Sequence, residues 1–239
     1  ELGADDLRFT PEEAAQFFQQ AMGLDIPAGT IQALEIRTEG WITALRLAAV
    51  SLRQQADPTA MLANLRGDAH YLVDFLAEEV LDQQPEEIRQ FLLRSSILEL
   101  LTGPLCEAVV KPEAQPGYGA ALLNRLEHDN LFIVALDEKH EWFRFHRVFA
   151  DFLRHIHAEI NPAEIPVLQK RAALWFEENG SLEEAFQYAL VSGDVEWTAN
   201  LIERNVEVMF NRGEISTLTR WVGRLPAEVI RQRPPLSLA

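Results

Sequence analysis

The sequence predicts a mainly α chain: a helical bundle, then a unit with a small β-hairpin set among helices, then helical hairpins in repeat. Three observations carry that reading. Apolar residues recur at spacings of three and four through most of the chain. Residues 131–145 break this rhythm with two short runs of large side chains. Near the end, two glycines 33 residues apart sit in matching apolar surroundings.

Residues 1–98 read as the bundle. Thr10-Pro11-Glu12-Glu13 opens the first helix. Thr10 caps, Pro11 suits the first helical position, and Glu13 completes a capping box. Ala14, Phe17, Phe18 and Ala21 mark its apolar face, and Gly23 stops it. A second short helix fits Ile31 to Ile36. A third runs from about Gly40 through Leu52, with Trp41, Ala44, Leu45, Ala48 and Ala49 inward. Asp57-Pro58 starts another, and Tyr71, Leu72, Phe75, Leu76 and Val80 stripe a longer one. Pro85-Glu86-Glu87 opens the next, whose buried stripe is Ile88, Phe91 and Leu92. Short helices joined by short polar turns make a compact bundle.

Residues 99–160 have a different texture. A short helix over Leu105–Val110 is followed by a loop from Lys111 to Gly119 and a helix from Ala121 to His128. Leu131 to Leu136 reads as a strand, Asp137 to His140 as a turn, and Glu141 to Phe145 as a second strand. Helix, helix, helix, two-stranded wing and helix is the order of a winged-helix domain. On the second strand Trp142, Arg144 and His146 share one face, and Phe143 and Phe145 the other. His146 then falls where the strand gives way to a helix striped by Val148, Phe149, Phe152, Leu153 and Ile156. Such a ring either donates to an anion or ties strand to helix as a half-buried structural group.

Residues 161–239 are all helical and repeat themselves. Gly180 and Gly213 align Leu168 with Leu201, Phe176 with Met209, Leu182 with Ile215, Ala185 with Leu218, and Ala189 with Val222. Matching apolar offsets across a glycine turn mark stacked helical hairpins, with a period close to that of tetratricopeptide repeats. Trp197, Phe210 and Trp221 fit a packing stripe as well as a ligand groove.

Composition narrows the function classes. The formal charge of −16, from 37 acidic and 21 basic residues, opposes binding of a phosphate backbone. One cysteine, Cys106, excludes an internal disulfide and a multi-cysteine metal site, and its apolar neighbours point to a buried, inert thiol. A reducing cytoplasmic setting fits. No apolar run reaches the roughly 18–20 residues of a membrane helix. The chain contains no Gly-Lys pair, hence no phosphate-cradling loop, and no His-Glu-x-x-His or Gly-x-Ser-x-Gly. No self-contained catalysis is expected. A start at Glu1 without methionine or leader, and an apolar pattern resuming at 234–239, are expected of a segment of a longer protein.

Five stretches in order complete the reading: Leu7-Arg8-Phe9-Thr10-Pro11-Glu12-Glu13-Ala14, Arg37-Thr38-Glu39-Gly40-Trp41-Ile42, Gly103-Pro104-Leu105-Cys106, Phe143-Arg144-Phe145-His146 and Trp175-Phe176-Glu177-Glu178-Asn179-Gly180. Together they resemble the large ATP-binding LuxR-type transcription regulators, the MalT-like group of signal-transduction ATPases with numerous domains. The resemblance implies a central segment, between an upstream nucleotide-binding domain and a downstream sensor and helix-turn-helix. It implies that His146 contacts the β-phosphate of ADP and holds the inactive form, with Arg147 standing where many relatives carry an aspartate. It places Glu39, Gly40 and Trp41 at the turn near the adenine, with Trp41 as a flat apolar wall or simply a core aromatic. It implies ADP or ATP with Mg in the full-length protein, and no tight nucleotide binding by this segment alone. Partners implied are the upstream domain, an inducer or protein at the repeats, and self-association on activation, without direct DNA or membrane contact.

Two other readings stay open at the level of sequence. One is a helical-repeat scaffold for protein partners, without nucleotide. The other is a winged-helix DNA binder, opposed by the single Arg125 facing Glu127 and Asp129 around its third helix.

Overall fold

A computed structural model of the protein describes residues 9–21, 23–24, 26–38, 40, 45, 80–129, 131–233 and 236. The helices expected from Asp57 and over Tyr71–Val80, and most of the one from Gly40, lie outside the described residues. The chain divides into two compact units, Glu1–Leu100 with Leu122–Ile156, and Leu101–Ala121 with His157–Ala239. It is mainly helical, with one two-stranded sheet among the described residues. No described helix is long and apolar enough to cross a membrane.

The first unit opens with helix α1 (Pro11–Gln16), which continues as a π-helical turn over Phe17–Ala21. The capping box forms as expected. Glu13 N donates to Thr10 Oγ1 at 3.2 Å, and Thr10 N donates to Glu13 Oε2 at 2.9 Å. Helix α2 (Ala28–Thr38) starts earlier than Ile31, because the Pro27 carbonyl already accepts from Thr30 and Ile31. Ala14, Phe18, Ile26, Ile31, Leu34 and Leu45 form one buried cluster. Helix α3 (Glu86–Ser95) buries Ile88, Phe91 and Leu92, the predicted stripe.

Helix α4 (Gly103–Val110) belongs to the second unit and is capped by Thr102, whose hydroxyl accepts from Leu105 N at 3.3 Å. Helix α5 (Tyr118–His128) begins three residues before the expected Ala121. The reason is Glu107 on α4. Its Oε1 accepts from Gly117 N at 2.9 Å and Gly119 N at 3.0 Å, so a side chain distant in sequence starts the helix.

Back in the first unit, β1 (Ile133–Ala135) pairs antiparallel with β2 (Phe143–Phe145), and Ile133 faces Phe145. Both strands are shorter than their apolar runs. Phe132 has a φ of 55°, which ends β1 on one side. On the other, Asp137 Oδ1 accepts from Glu141 N at 3.0 Å and Trp142 N at 2.8 Å, folding those residues into the turn. Helix α6 (Arg147–Ile160) follows. Its Phe149 ring lies 4.8 Å from Phe132, 5.9 Å from Phe145 and 5.9 Å from Phe152, centroid to centroid. Arg154 Nε donates to the Ser96 carbonyl at 2.8 Å, tying α6 to the end of α3.

The second unit continues with α7 (Ile165–Glu178), α8 (Leu182–Val191), α9 (Val195–Asn211), α10 (Ile215–Val222) and α11 (Ala227–Arg231). The 33-residue relation holds in hydrogen bonds as well as in sequence. Ser181 N donates to the Phe176 carbonyl and Glu214 N to that of Met209, both at 2.9 Å. Gly180 (φ 81°) and Gly213 (φ 73°) occupy the left-handed position of the same helix-ending turn. Leu168 and Leu201, Phe176 and Met209, Ala185 and Leu218, and Ala189 and Val222 are buried in both copies.

The copies differ at one end. Leu182 is buried, whereas its counterpart Ile215 is 47 % exposed. Glu177 of α7 accepts from Arg204 Nε at 2.6 Å and Asn205 Nδ2 at 2.6 Å, both on α9, whereas its counterpart Phe210 is 63 % exposed. Of the aromatics that sequence left between packing and binding, Trp221 is core. It is 1 % exposed and stacks on Phe186 with centroids 4.7 Å apart. Trp197 is half-buried, with the Arg204 guanidinium 5.6 Å from its ring centre. Cys106 is buried, and burial pushes its thiol far above the ordinary range, as an inert cysteine requires.

Two outcomes follow from this packing. Trp221→Ala should cost about 3–5 kcal/mol in denaturant unfolding, while Phe210→Ala should stay within about 0.5 kcal/mol of the parent. Burial raises the Glu177 carboxyl, but the bonds from Arg204 and Asn205 outweigh it and hold its pKa below the usual value. A carboxylate depressed in the folded state stabilises above its unfolded pKa and loses that contribution as pH falls through the folded one. The melting temperature of Glu177→Gln should therefore fall less between about pH 6 and about pH 3 than that of the parent.

Candidate functional site

The β2–α6 junction is built around the backbone of His146. Its N–H donates to the Phe132 carbonyl at 2.8 Å, completing the hairpin, and its own carbonyl accepts from Ala150 N at 2.8 Å, beginning α6. One residue thus belongs to both elements. Its side chain is half-buried, on the face of β2 that also carries half-buried Arg144 and Trp142, itself 39 % exposed. Phe143 and Phe145 point the opposite way and are buried, as alternation predicts. Arg144 Nη1 donates to the Phe145 carbonyl at 3.3 Å. Arg147, the next residue after His146, is exposed.

Phe132 is the support that sequence reasoning missed. A bulky residue in the left-handed region costs on the order of 1–3 kcal/mol. The ring contact with Phe149 and the bond from His146 N offset that cost. No turn residue at position 132 signals the conformation in the sequence.

Gly40 has a separate role. Its φ is 69°, its N–H donates to the Glu35 carbonyl at 3.1 Å, and its carbonyl accepts from Phe9 N at 2.9 Å. A Cβ there would lie 2.4 Å from the Phe9 carbonyl oxygen. Backbone conformation and close approach both demand glycine, whatever else the turn does. Glu39 and Trp41, the other residues expected at this turn, lie outside the described residues.

The remaining charged groups near the wing are largely engaged with one another. Arg125 Nε is 3.5 Å from Asp129 Oδ2, and His140 Nδ1 is 2.8 Å from Glu127 Oε1. His155 is exposed, whereas His157 is buried with its Nε2 3.2 Å from Glu164 Oε2. They do not act as a pair, in line with their spacing on α6. Among the described residues, no group of three or more histidine, cysteine or acidic side chains is placed to hold a metal. The junction fixes the backbone of a half-buried histidine that shares a strand face with Arg144 and is followed by the exposed Arg147.

Residues 77–165 match the MalT winged helix domain. Over all 239 residues the chain is 38 % identical to the serine/threonine-protein kinase PknK of Mycobacterium tuberculosis, of which it spans 21 %. It is 35 % identical to the HTH-type transcriptional regulator MalT of Yersinia enterocolitica over 240 aligned positions, covering the whole chain and 26 % of that protein. The MalT of Yersinia pestis matches to the same extent. The chain therefore spans about a fifth to a quarter of the length of these relatives. Residues 77–165 are thus similar to the MalT winged helix domain, and the chain as a whole is similar to a segment of MalT regulators.

Proposed function

We propose that this chain is the central regulatory segment of an ATP-dependent LuxR-type transcription activator. In this reading an upstream nucleotide-binding domain holds ADP, or ATP with Mg, and His146 donates to the β-phosphate of ADP. That bridge favours the inactive arrangement. Exchange for ATP, together with an inducer at the tetratricopeptide-like hairpins, releases it and permits self-association and transcription from a downstream DNA-binding domain. The segment is not itself an enzyme, binds neither DNA nor membrane directly, holds nucleotide only weakly by itself, and works in the cytoplasm. Gly40, with Glu39 and Trp41, belongs to the turn near the adenine.

The observation that carries this reading is the placement of His146. Its backbone is bonded on both sides, so the imidazole projects from a fixed point in a domain of the MalT winged-helix type. The whole-length likeness to MalT regulators supports the transcriptional setting. The similar likeness to a protein named as a serine/threonine kinase supports the view that the segment is a switch and that its output lies elsewhere.

The test is His146→Ala in the intact protein. A charge-assisted hydrogen bond of about 1.5–3 kcal/mol predicts ADP release roughly 10- to 100-fold faster, with raised activity in the absence of inducer. An unchanged ADP off-rate and unchanged inducer dependence would remove the imidazole from the switch.

A further inference from the structure

We infer that Phe132 is a positioning residue that decides whether the His146 carbonyl opens α6 or stays in the β-ladder, and so regulates the nucleotide contact proposed for His146; the inference rests on that reading. Among the described residues, two that are not glycine have a left-handed backbone, His140 (φ 54°) and Phe132 (φ 55°). Histidine is one of the types that tolerate this region, and His140 sits in the polar turn of the wing. A bulky phenylalanine is not. Phe132 is pinned on both sides: Leu131 N donates to the Leu126 carbonyl of α5 at 2.8 Å, and Ile133 begins β1. Strain is thus held at the residue that faces His146 across the hairpin.

The register defines the choice. Ile133 pairs with Phe145, so Phe132 falls opposite His146. An antiparallel hydrogen-bonded pair exchanges two bonds when both residues are extended. One is made, from His146 N to the Phe132 carbonyl at 2.8 Å. The other would run from Phe132 N to the His146 carbonyl. In extended backbone the N–H and C=O of one residue point toward the same neighbouring strand, whereas in a helical conformation of either hand they point in opposite directions. With its carbonyl on His146, left-handed Phe132 therefore turns its N–H away, and the His146 carbonyl accepts from Ala150 N at 2.8 Å.

A second arrangement uses the same atoms. An extended Phe132 would capture the His146 carbonyl, lengthen the ladder by one pair and take the first bond from α6. A change of that size in φ would also swing the Phe132 ring off Phe149, now 4.8 Å away between centroids. The histidine would then continue the strand rather than lead the helix, and its side chain would start from a different backbone geometry. Relief of strain at Phe132 favours that arrangement, while the Phe149 contact and the Ala150 bond favour the present one. Opposed terms of this kind make a local element that an outside contact can tip. An imidazole–phosphate bond that fits one arrangement only is such a contact.

Phe132→Gly and Phe132→Ala in the intact protein separate backbone conformation from ring packing. Both lose the ring, and they differ by a Cβ that disfavours the left-handed region. Phe132→Ala should release ADP about fivefold faster than Phe132→Gly, and its Ala150 amide should exchange with deuterium about fivefold faster, a readout that needs no nucleotide. A packing role alone predicts equal rates or the reverse order, since alanine keeps more apolar surface. Ala150 exchange that is equal in the two variants, or slower in Phe132→Ala, would overturn the inference whatever ADP does. Faster Ala150 exchange without faster ADP release, alongside rapid release in His146→Ala, would overturn the regulatory role and leave the histidine reading standing. Parent-like ADP release in His146→Ala would overturn that reading and this inference with it.

Discussion

The geometry of the wing depends on the backbone of one residue. The N–H of His146 closes the hairpin on Phe132, and its carbonyl opens α6 through Ala150. Neither element can shift at this point without breaking a bond of the other. The same N–H helps hold Phe132 in a conformation that its side chain disfavours, and the Phe149 ring completes the support. Strand, helix and aromatic cluster are therefore coupled through a residue whose side chain is left partly exposed. Pre-organisation of this kind keeps the entropy of positioning an imidazole from being lost again on each contact.

The helical hairpins follow a different logic, in which backbone geometry repeats and side-chain contacts do not. The glycine turns at 180 and 213 match in φ and in hydrogen bonding. The contacts between helices are particular to each place. Glu177 takes Arg204 and Asn205, and Glu183 takes Arg220 and the Trp221 indole. Arg233 is held by Glu196 and Glu203 of α9. Each carboxylate is thus coupled to a cation farther along the chain, in a later helix for Glu177 and Glu183 and just past α11 for Glu196 and Glu203. Partly exposed pairs of this kind contribute modestly to stability, and buried leucine, alanine and aromatic positions supply the larger share.

Much of this was legible in the sequence because it is local. The capping box at Thr10, the stripe of α3, the alternation of β2 and the 33-residue period all rest on neighbours within a few positions or on direct repetition. What was not legible depends on distant partners. The early start of α5 is set by Glu107, ten residues before Gly117. The left-handed Phe132 depends on Phe149, in a different element. Trp221, Trp197 and Phe210 look alike in pattern, and only the presence or absence of a covering helix separates core from surface. At the candidate site, the position and face of His146 could be read from alternation.

A contact shifts an equilibrium only if it exists in one state and not in the other. In the proposed switch, the imidazole–phosphate bond meets that condition because the nucleotide belongs to another domain. One such bond biases the balance by about 10- to 100-fold, short of the roughly 10⁴-fold needed to carry a population from almost wholly off to almost wholly on. A switch of this design needs either a resting balance already close to the midpoint or a second contact that appears and disappears with the first. The remaining bias would then have to come from surfaces of the hairpins, where ligand binding can act without touching the nucleotide at all.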